Sequence, residues 1–163
     1  MLFRSVMKIA VAVSLVASCG TAAFAQLPNP YGMSIGAEVA KKAATAALAE
    51  ARKNNWTMAA AIVDTAGDLV YFEKVDGTQA ASTDIAVDKA RSAVRFKRPT
   101  KALQDVLAAG GEGLRMLALQ GAVPVEGGLP LVIDGKIVGA IGASGGTSEQ
   151  DGQSAKAGAD SVK

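Results

Sequence analysis

The most concentrated charge in this sequence is a basic run in the middle of the chain. Six basic side chains fall within thirteen residues that contain no acid: Lys89, Arg91, Arg95, Lys97, Arg98 and Lys101. An arginine guanidinium matches a carboxylate with two parallel hydrogen bonds, so the run could bind the carboxylates of a ligand. The alternative is a solvated helix face, partly paired with Asp84 and Asp88.

The residue types that are missing narrow the possible chemistry. The chain has no histidine, and its one cysteine is Cys19. If Cys19 is removed with a leader, zinc sites of Cys and His are excluded, as are Ser-His-Asp and Cys-His catalysis. Glu126, Asp151 and Lys89 are candidates for acid–base work, but the sequence does not show whether they are adjacent. We therefore assign no catalytic residue.

A glycine-rich stretch, GAIGASGGT at residues 139–147, could cradle a phosphate. The dinucleotide fingerprint G-x-G-x-x-G is absent, because these glycines recur three residues apart. A Walker loop would need lysine before Thr147, where this chain has Gly146. We predict instead that Gly139 and Gly142 let a helix or a ligand approach a strand, and that the next two glycines turn into a helix. A phosphate held only by the amides of that helix N-terminus is the alternative.

The elements that must position these residues are helices and short strands. Apolar residues at helical spacing predict helices from Ser34 to about Asn54, over 83–97, after Pro99, and at the C-terminus behind a capping box of Thr147 and Gln150. Short apolar runs predict strands at 57–63, 69–75, 122–126, 129–133 and 136–143. Tight turns at DTAGD and at Asp134-Gly135 join strand pairs. The order α-β-β-α-α-β-β-β-α predicts an α+β fold, an antiparallel sheet with helices packed on it.

The first 25 residues have the pattern of a cleaved signal peptide. Arg4 and Lys8 precede a short apolar stretch, and Ala23-Phe24-Ala25 forms an A-x-A cleavage site. The stretch is about half the length of a bilayer-spanning helix, so we predict no transmembrane segment. We expect a periplasmic or secreted protein whose residues 26–163 form one domain. The alternative is a lipoprotein, because residues 16–19 resemble a lipobox that would leave a lipidated Cys19.

The mature chain would be close to electrically neutral. Loss of Arg4 and Lys8 leaves 15 basic and 15 acidic side chains. A neutral chain offers no general attraction for nucleic acid, so we predict no nucleic-acid partner.

Three segments of the chain are similar to a known family. RPTKAL, PVEGGLPLVIDGKIVGAIG and SGGTSEQD resemble the GlcG/HbpS-like haem-binding family, and the resemblance extends over residues 35–160. It implies a profilin-like α-β sandwich, assembly into homo-oligomers and, in secreted members, binding of haem. Related domains accompany glycolate utilisation and form the C-terminal part of some corrinoid adenosyltransferases.

The resemblance implies a haem site without naming its iron ligand. Histidine, the most frequent ligand, is absent, which leaves the phenols of Tyr31 and Tyr71, a thioether from Met33, Met58 or Met116, or a Thr or Lys side chain. Met116, beside a glycine-rich connector, is the thioether best placed near a surface groove. The expected ligand-binding residues are therefore Lys89, Arg91, Arg95 and Arg98 for the propionates, Met116, and the glycine pair Gly127 and Gly128, which forms either a turn or a ligand or subunit interface.

The leading hypothesis is a secreted protein that binds haem or a related tetrapyrrole. Two alternatives stay open: an enzyme or enzyme accessory acting on small organic acids, and a purely structural oligomer. An acid–base pair that converges in a pocket would favour the enzyme, and an apolar groove rimmed by Arg95 and Arg98 would favour the binder.

Overall fold

The computed structural model describes residues 28–163. The helices are α1 (Ala37–Lys53), α2 (Ser82–Arg95), α3 (Thr100–Ala108) and α4 (Ser148–Asp160), and a 3-10 segment spans Gly111–Ala118. The strands are β1 (Ala59–Val63), β2 (Leu69–Lys74), β3 (Gly128–Ile133) and β4 (Lys136–Ser144). The predicted leader, its cleavage site and Cys19 lie outside the described residues. Among the helices of residues 28–163, none has the length and apolar character needed to span a bilayer.

The four strands form one antiparallel sheet in the order β2-β1-β4-β3. Two hairpins build it. In the first, the Asp64 side chain accepts hydrogen bonds from the amides of Ala66, Gly67 and Asp68. In the second, Asp134-Gly135 takes positive φ angles of 49° and 71°, which suit a two-residue turn. The predicted α+β class and antiparallel sheet are confirmed.

Helices cover both faces of the sheet. Alternate residues of β1, including Ala60 and Ile62, pack with α1 and α4 on one face. Ala61 and Val63 face α2 on the other side. Because β1 is buried on both faces, its sequence is a continuous apolar run rather than an alternating one.

The glycine-rich stretch serves close packing and the start of a helix. A Cβ atom added at Gly142 would collide with the carbonyl oxygen of Ala86 in α2. The predicted capping box is present, with Thr147 and Gln150 each bonded to the other's backbone. The Gly146 amide donates to an Asp151 carboxylate oxygen at 3.0 Å and is therefore already occupied. These contacts confirm that Gly142 allows close approach of a helix.

One segment differs from the sequence expectation. Residues 122–126, expected as a short edge strand, are irregular, while the order of the other elements follows the prediction. Side chains satisfy the backbone donors there. The Val123 amide donates to the Ser92 hydroxyl at 3.0 Å, and the Glu126 amide donates to Gln104 at 2.8 Å. Pro124 has no amide to give to a ladder, so this segment is held by α2 and α3 instead of by a strand.

Candidate ligand groove

A groove runs along β3, the strand at one edge of the sheet. It consists of two cavities of about 370 and 420 Å³ that share Pro99, Leu129 and Pro130. One cavity extends toward the N-terminal segment, and the other extends toward α4. We call this surface the β3 groove; its remaining lining residues are Pro28, Asn29, Lys97, Val132 and Ile137 in the first cavity, and Lys101, Glu126, Gly127, Gly128, Gly152, Lys156, Ala159 and Asp160 in the second.

The groove exists because β3 has no strand neighbour on its outer side. Pro130 is tolerated there, since an edge strand does not need every amide for a ladder. The break between α2 and α3 at Pro99 forms the opposite wall. On the inner side, the amide of Ile137 donates to Pro30 and the amide of Gly32 donates to Ile137, which fixes the N-terminal segment beside the sheet. The floor is therefore apolar and built from residues of β3, β4 and the α2–α3 break.

Three lysines lie around the rim of the groove. Lys101 donates to Asp105 at 2.5 Å, and this hydrogen bond raises the pKa of the Lys101 ammonium. Lys156 pairs with Asp160 one helical turn away. Exposed pairs of this kind contribute about 0.3–0.5 kcal/mol, so both lysines can turn toward a ligand at little cost. The third, Lys97, is half-buried and lies over the ring of Tyr31.

Glu126 is the acid of the groove with the clearest perturbation. Burial raises the pKa of its carboxyl, while Lys101 acts in the opposite direction. Its side chain packs over α4, and a Cβ atom added at Gly152 would collide with it. Glu126 and Lys101 thus place a carboxyl and an ammonium group in the same cavity.

A buried ion pair lies directly beneath the glycine pair of the groove. The Lys89 ammonium donates to Asp151 at 2.7 Å and to the carbonyl oxygen of Ala143 at 3.3 Å, and both charged side chains are at most 5% exposed. Burial raises the pKa of the Asp151 carboxyl, and the hydrogen bond from Lys89 opposes that shift. The pair connects α2 to the first turn of α4.

The glycine pair is required by this close packing. Gly127 has a φ of 126°, and a Cβ atom there would lie 2.9 Å from the Lys89 nitrogen. A Cβ atom at Gly128 would collide with the backbone of Lys89. The hydroxyl of Thr100 accepts from the Gly128 amide at 2.9 Å. The floor of the groove therefore rests on the buried pair.

Comparison with known proteins identifies the family. The family model described as "Haem degrading protein HbpS-like" matches residues 35–160. The chain belongs to the GlcG/HbpS-like family. Protein GlcG of Escherichia coli K12 is 35% identical over 95 residues, which cover 58% of this chain and 69% of GlcG.

Solved structures of HbpS-like proteins share the fold. A double mutant of HbpS from Streptomyces reticuli superimposes with a TM-score of 0.74 at 30% identity, covering 94% of this chain and 99% of that one. The crystal structure of the PduOC–haem complex superimposes with a TM-score of 0.72 at 26% identity, covering 80% and 96%.

The structure separates the residues that the sequence grouped as one site. Lys89 does not lie with the arginines, because it is buried against Asp151. Arg91 donates to the carbonyl oxygen of Gly67 at 3.1 Å, and a Cβ atom at Gly67 would lie 3.2 Å from Arg95, so both arginines lie at the β1–β2 turn.

The other predicted residues are equally dispersed. Arg98 is exposed and donates to the carbonyl oxygen of Phe96. Met116 lies in the 3-10 segment, which packs against α3 through Gly113. Only Gly127 and Gly128 of the predicted set line the groove.

The groove contains residues that sequence reasoning missed. Pro99 and Lys101 belong to RPTKAL, and Leu129 and Pro130 belong to the GGLP segment, so the motifs of the HbpS-like family contained the signal. Lys156 has no such signal, because nothing in its neighbourhood in the sequence distinguishes it from an ordinary exposed helix lysine. In the described part of the chain, no group of three or more Cys, Asp or Glu side chains is placed to hold a metal ion.

Proposed function

We propose that this protein binds haem or a related tetrapyrrole in the β3 groove. The observation that carries the proposal is the groove itself, an apolar floor of Pro99, Leu129 and Pro130 with lysines on its rim. A tetrapyrrole with propionates is flat, apolar and anionic at one edge, and this surface offers the complementary chemistry. The description of the family as haem-degrading and the haem complex of PduOC support the same ligand class.

The groove accounts for affinity without a strong iron ligand. Apolar surface removed from water contributes about 25 cal/mol per Å², so covering one porphyrin face provides most of the binding free energy. The lining residues include no Met, Tyr or Cys, and the side-chain oxygens within the groove are those of Asn29, Glu126 and Asp160. We expect an iron that is weakly ligated by one of these oxygens or by water.

A haemin titration followed by absorbance tests the site. We expect Lys97→Ala combined with Lys101→Ala to weaken haemin binding, because both cations lie on the groove rim. Arg95→Ala combined with Arg98→Ala removes the same number of charges from the face that the sequence suggested. If the arginine variant loses affinity and the lysine variant does not, haem binds at the arginine face and the groove assignment is wrong. If the wild-type protein does not bind haemin, the proposed function is wrong.

The proposal includes export and self-association. Removal of residues 1–25 would leave a chain that begins at Gln26. The intact mass of the protein recovered from the periplasm or medium tests this cleavage, and a lipid-modified Cys19 would support the lipoprotein instead.

Exposed apolar side chains on and around the 3-10 segment, including Leu114 and Leu117, provide a surface for self-association. Light scattering at micromolar concentration should give a mass above that of the monomer.

A second candidate function rests on the carboxyl of Glu126 and the ammonium of Lys101 in one cavity. Their arrangement fits an enzyme or accessory for small organic acids, in which Lys101 binds the carboxylate and Glu126 accepts a proton. Titration with glycolate, with Glu126→Gln as the comparison, separates this function from the first. Binding of glycolate that does not compete with haemin would contradict a common site.

A further inference from the structure

Lys97 occupies a backbone conformation that normally favours glycine. Its φ is 52°, and it is the residue just beyond the C-terminal cap of α2. The Lys97 amide donates to Val94 and the Arg98 amide donates to Ala93, the two hydrogen bonds of a Schellman motif. Glycine is the usual residue at this position because a Cβ atom is strained there. A lysine at this place is an exception that needs a cause.

The side chain of Lys97 is held in place over an aromatic ring. Its ammonium lies 4.1 Å from the centroid of the Tyr31 ring, within the range of a cation–π interaction. The Tyr31 hydroxyl donates to the carbonyl oxygen of Val94 at 2.8 Å, so the ring is itself fixed to the end of α2. The strained backbone and the ring together place one ammonium at the wall of the groove.

Lys97 also differs from the other two rim lysines in its charge environment. Lys101 is paired with Asp105 and Lys156 with Asp160. Over residues 28–163, Lys97 has no carboxylate within ion-pair distance, and its ammonium lies against the Tyr31 ring. It is the rim lysine whose charge is available without breaking another ion pair.

We propose that Lys97 binds a carboxylate of the ligand and selects ligands that carry one, and that Tyr31 is its positioning residue. The inference rests on the proposed function and adds to it the residue that discriminates among porphyrins. The backbone strain at Lys97 is retained because a glycine at this position would lack the cation. A fixed ammonium binds a carboxylate with less loss of side-chain entropy than a freely moving one.

Two iron porphyrins test this role: haemin, with two propionates, and an iron porphyrin without carboxylates. In Lys97→Gly and Lys97→Gln, we expect the Kd for haemin to rise on the order of tenfold, the loss of a hydrogen bond to a charged group. The Kd for the carboxylate-free porphyrin should stay within about twofold by the same argument, because no such bond is made. Lys42→Gln removes an exposed lysine of α1 and is the matched control.

Tyr31→Leu tests the positioning role through a double-mutant cycle. It should weaken haemin binding in the wild-type background and have no further effect in the Lys97→Gln background. Because glycine relieves the strain of the positive φ at this position, Lys97→Gly should weaken haemin binding without lowering the midpoint of urea unfolding.

The outcomes separate this inference from the function on which it rests. Wild-type protein that fails to bind haemin overturns the proposed function. Wild-type protein that binds haemin, with Lys97 variants that bind it equally well, overturns only the role of Lys97. Lys97 variants that lose the same affinity for both porphyrins would also overturn the role of Lys97, because shape rather than charge would then be responsible.

Discussion

Replacing Lys89 by methionine should strongly destabilise the protein. The change leaves the Asp151 carboxylate beneath Gly127 without its cation, in a place where neither side chain of the pair is more than 5% exposed. Removing one partner of a buried ion pair costs about 3–5 kcal/mol, because the remaining charge is uncompensated. A domain of this size has about 5–15 kcal/mol of stability, so the variant should fold with a much reduced margin.

The double variant Lys89→Met with Asp151→Asn isolates the charge effect. Asparagine keeps an oxygen that can accept from the Gly146 amide, which donates to Asp151 at 3.0 Å. With both charges removed and the packing largely preserved, we expect recovery of at least about 2 kcal/mol relative to Lys89→Met.

Urea unfolding followed by circular dichroism measures both variants. The slope m should be unchanged and only the midpoint should move. Lys42→Met, an exposed lysine on α1, is the control and should change stability by no more than about 0.5 kcal/mol. A loss below about 1 kcal/mol in Lys89→Met, or a double variant no more stable than it, would show that the pair is not held as an ion pair.

Gly142, Glu126 and Thr147 each allow a test by substitution at a single position. Gly142→Ala should lower the free energy of unfolding by about 3 kcal/mol in the same assay, because its Cβ would overlap the backbone of α2. Gly36→Ser is the control, because a Cβ atom at Gly36 would meet nothing within 4 Å. Equal stability of the two variants would contradict the tight contact at Gly142. Burial raises the pKa of the Glu126 carboxyl above its usual range, so this group takes up its proton at a higher pH than an exposed glutamate does. Haemin affinity should therefore rise as the pH falls through that raised pKa and repulsion of the propionates is lost, and titrations of Glu126→Gln should lack this component. Thr147→Ala removes the cap of α4 and should cost about 1 kcal/mol, readable as a shift in the thermal midpoint; an unchanged midpoint would mean that the cap is dispensable.

Local signals explain why most of the fold could be predicted from the sequence. The DTAGD turn, Asp134-Gly135 and the Thr147 cap are each decided by a few neighbouring residues, and the structure has all three. The segment at 122–126 has a strand-like composition. Its partners, however, are side chains of α2 and α3 that no local pattern identifies. The irregular conformation of residues 122–126 therefore depends on hydrogen bonds between residues that are distant in the sequence.

The helical spacing of the sequence predicts that Lys89 and the arginines lie on different faces of α2. Lys89 lies three residues after Ala86 and four before Ala93, so it belongs to the buried face of α2. Arg91 and Arg95 recur on the other face. Charge alone suggested a common patch, whereas the period of the helix predicts two different environments for these side chains.

The groove could not be predicted as a unit, because its lining comes from five separate parts of the chain. The N-terminal segment, the α2–α3 break, β3, β4 and α4 meet only after the sheet has formed. The motifs contributed individual residues, such as Pro99 and Leu129, without their mutual arrangement. Lys97 was visible as one of six basic residues, but its positive φ and its contact with Tyr31 depend on tertiary structure.

The strand order has a consequence for the synthesis of the protein. The centre of the sheet joins β1 with β4, so Ala59 pairs with Ser144 from the far end of the chain. While the chain emerges from the ribosome, the apolar β1 strand has one neighbour, β2, and its other edge stays open until nearly all residues have been made. Such late pairing delays folding and exposes apolar surface to chaperones. For the export proposed above this delay is an advantage, since a chain that cannot close its sheet early can still be threaded through a translocation channel.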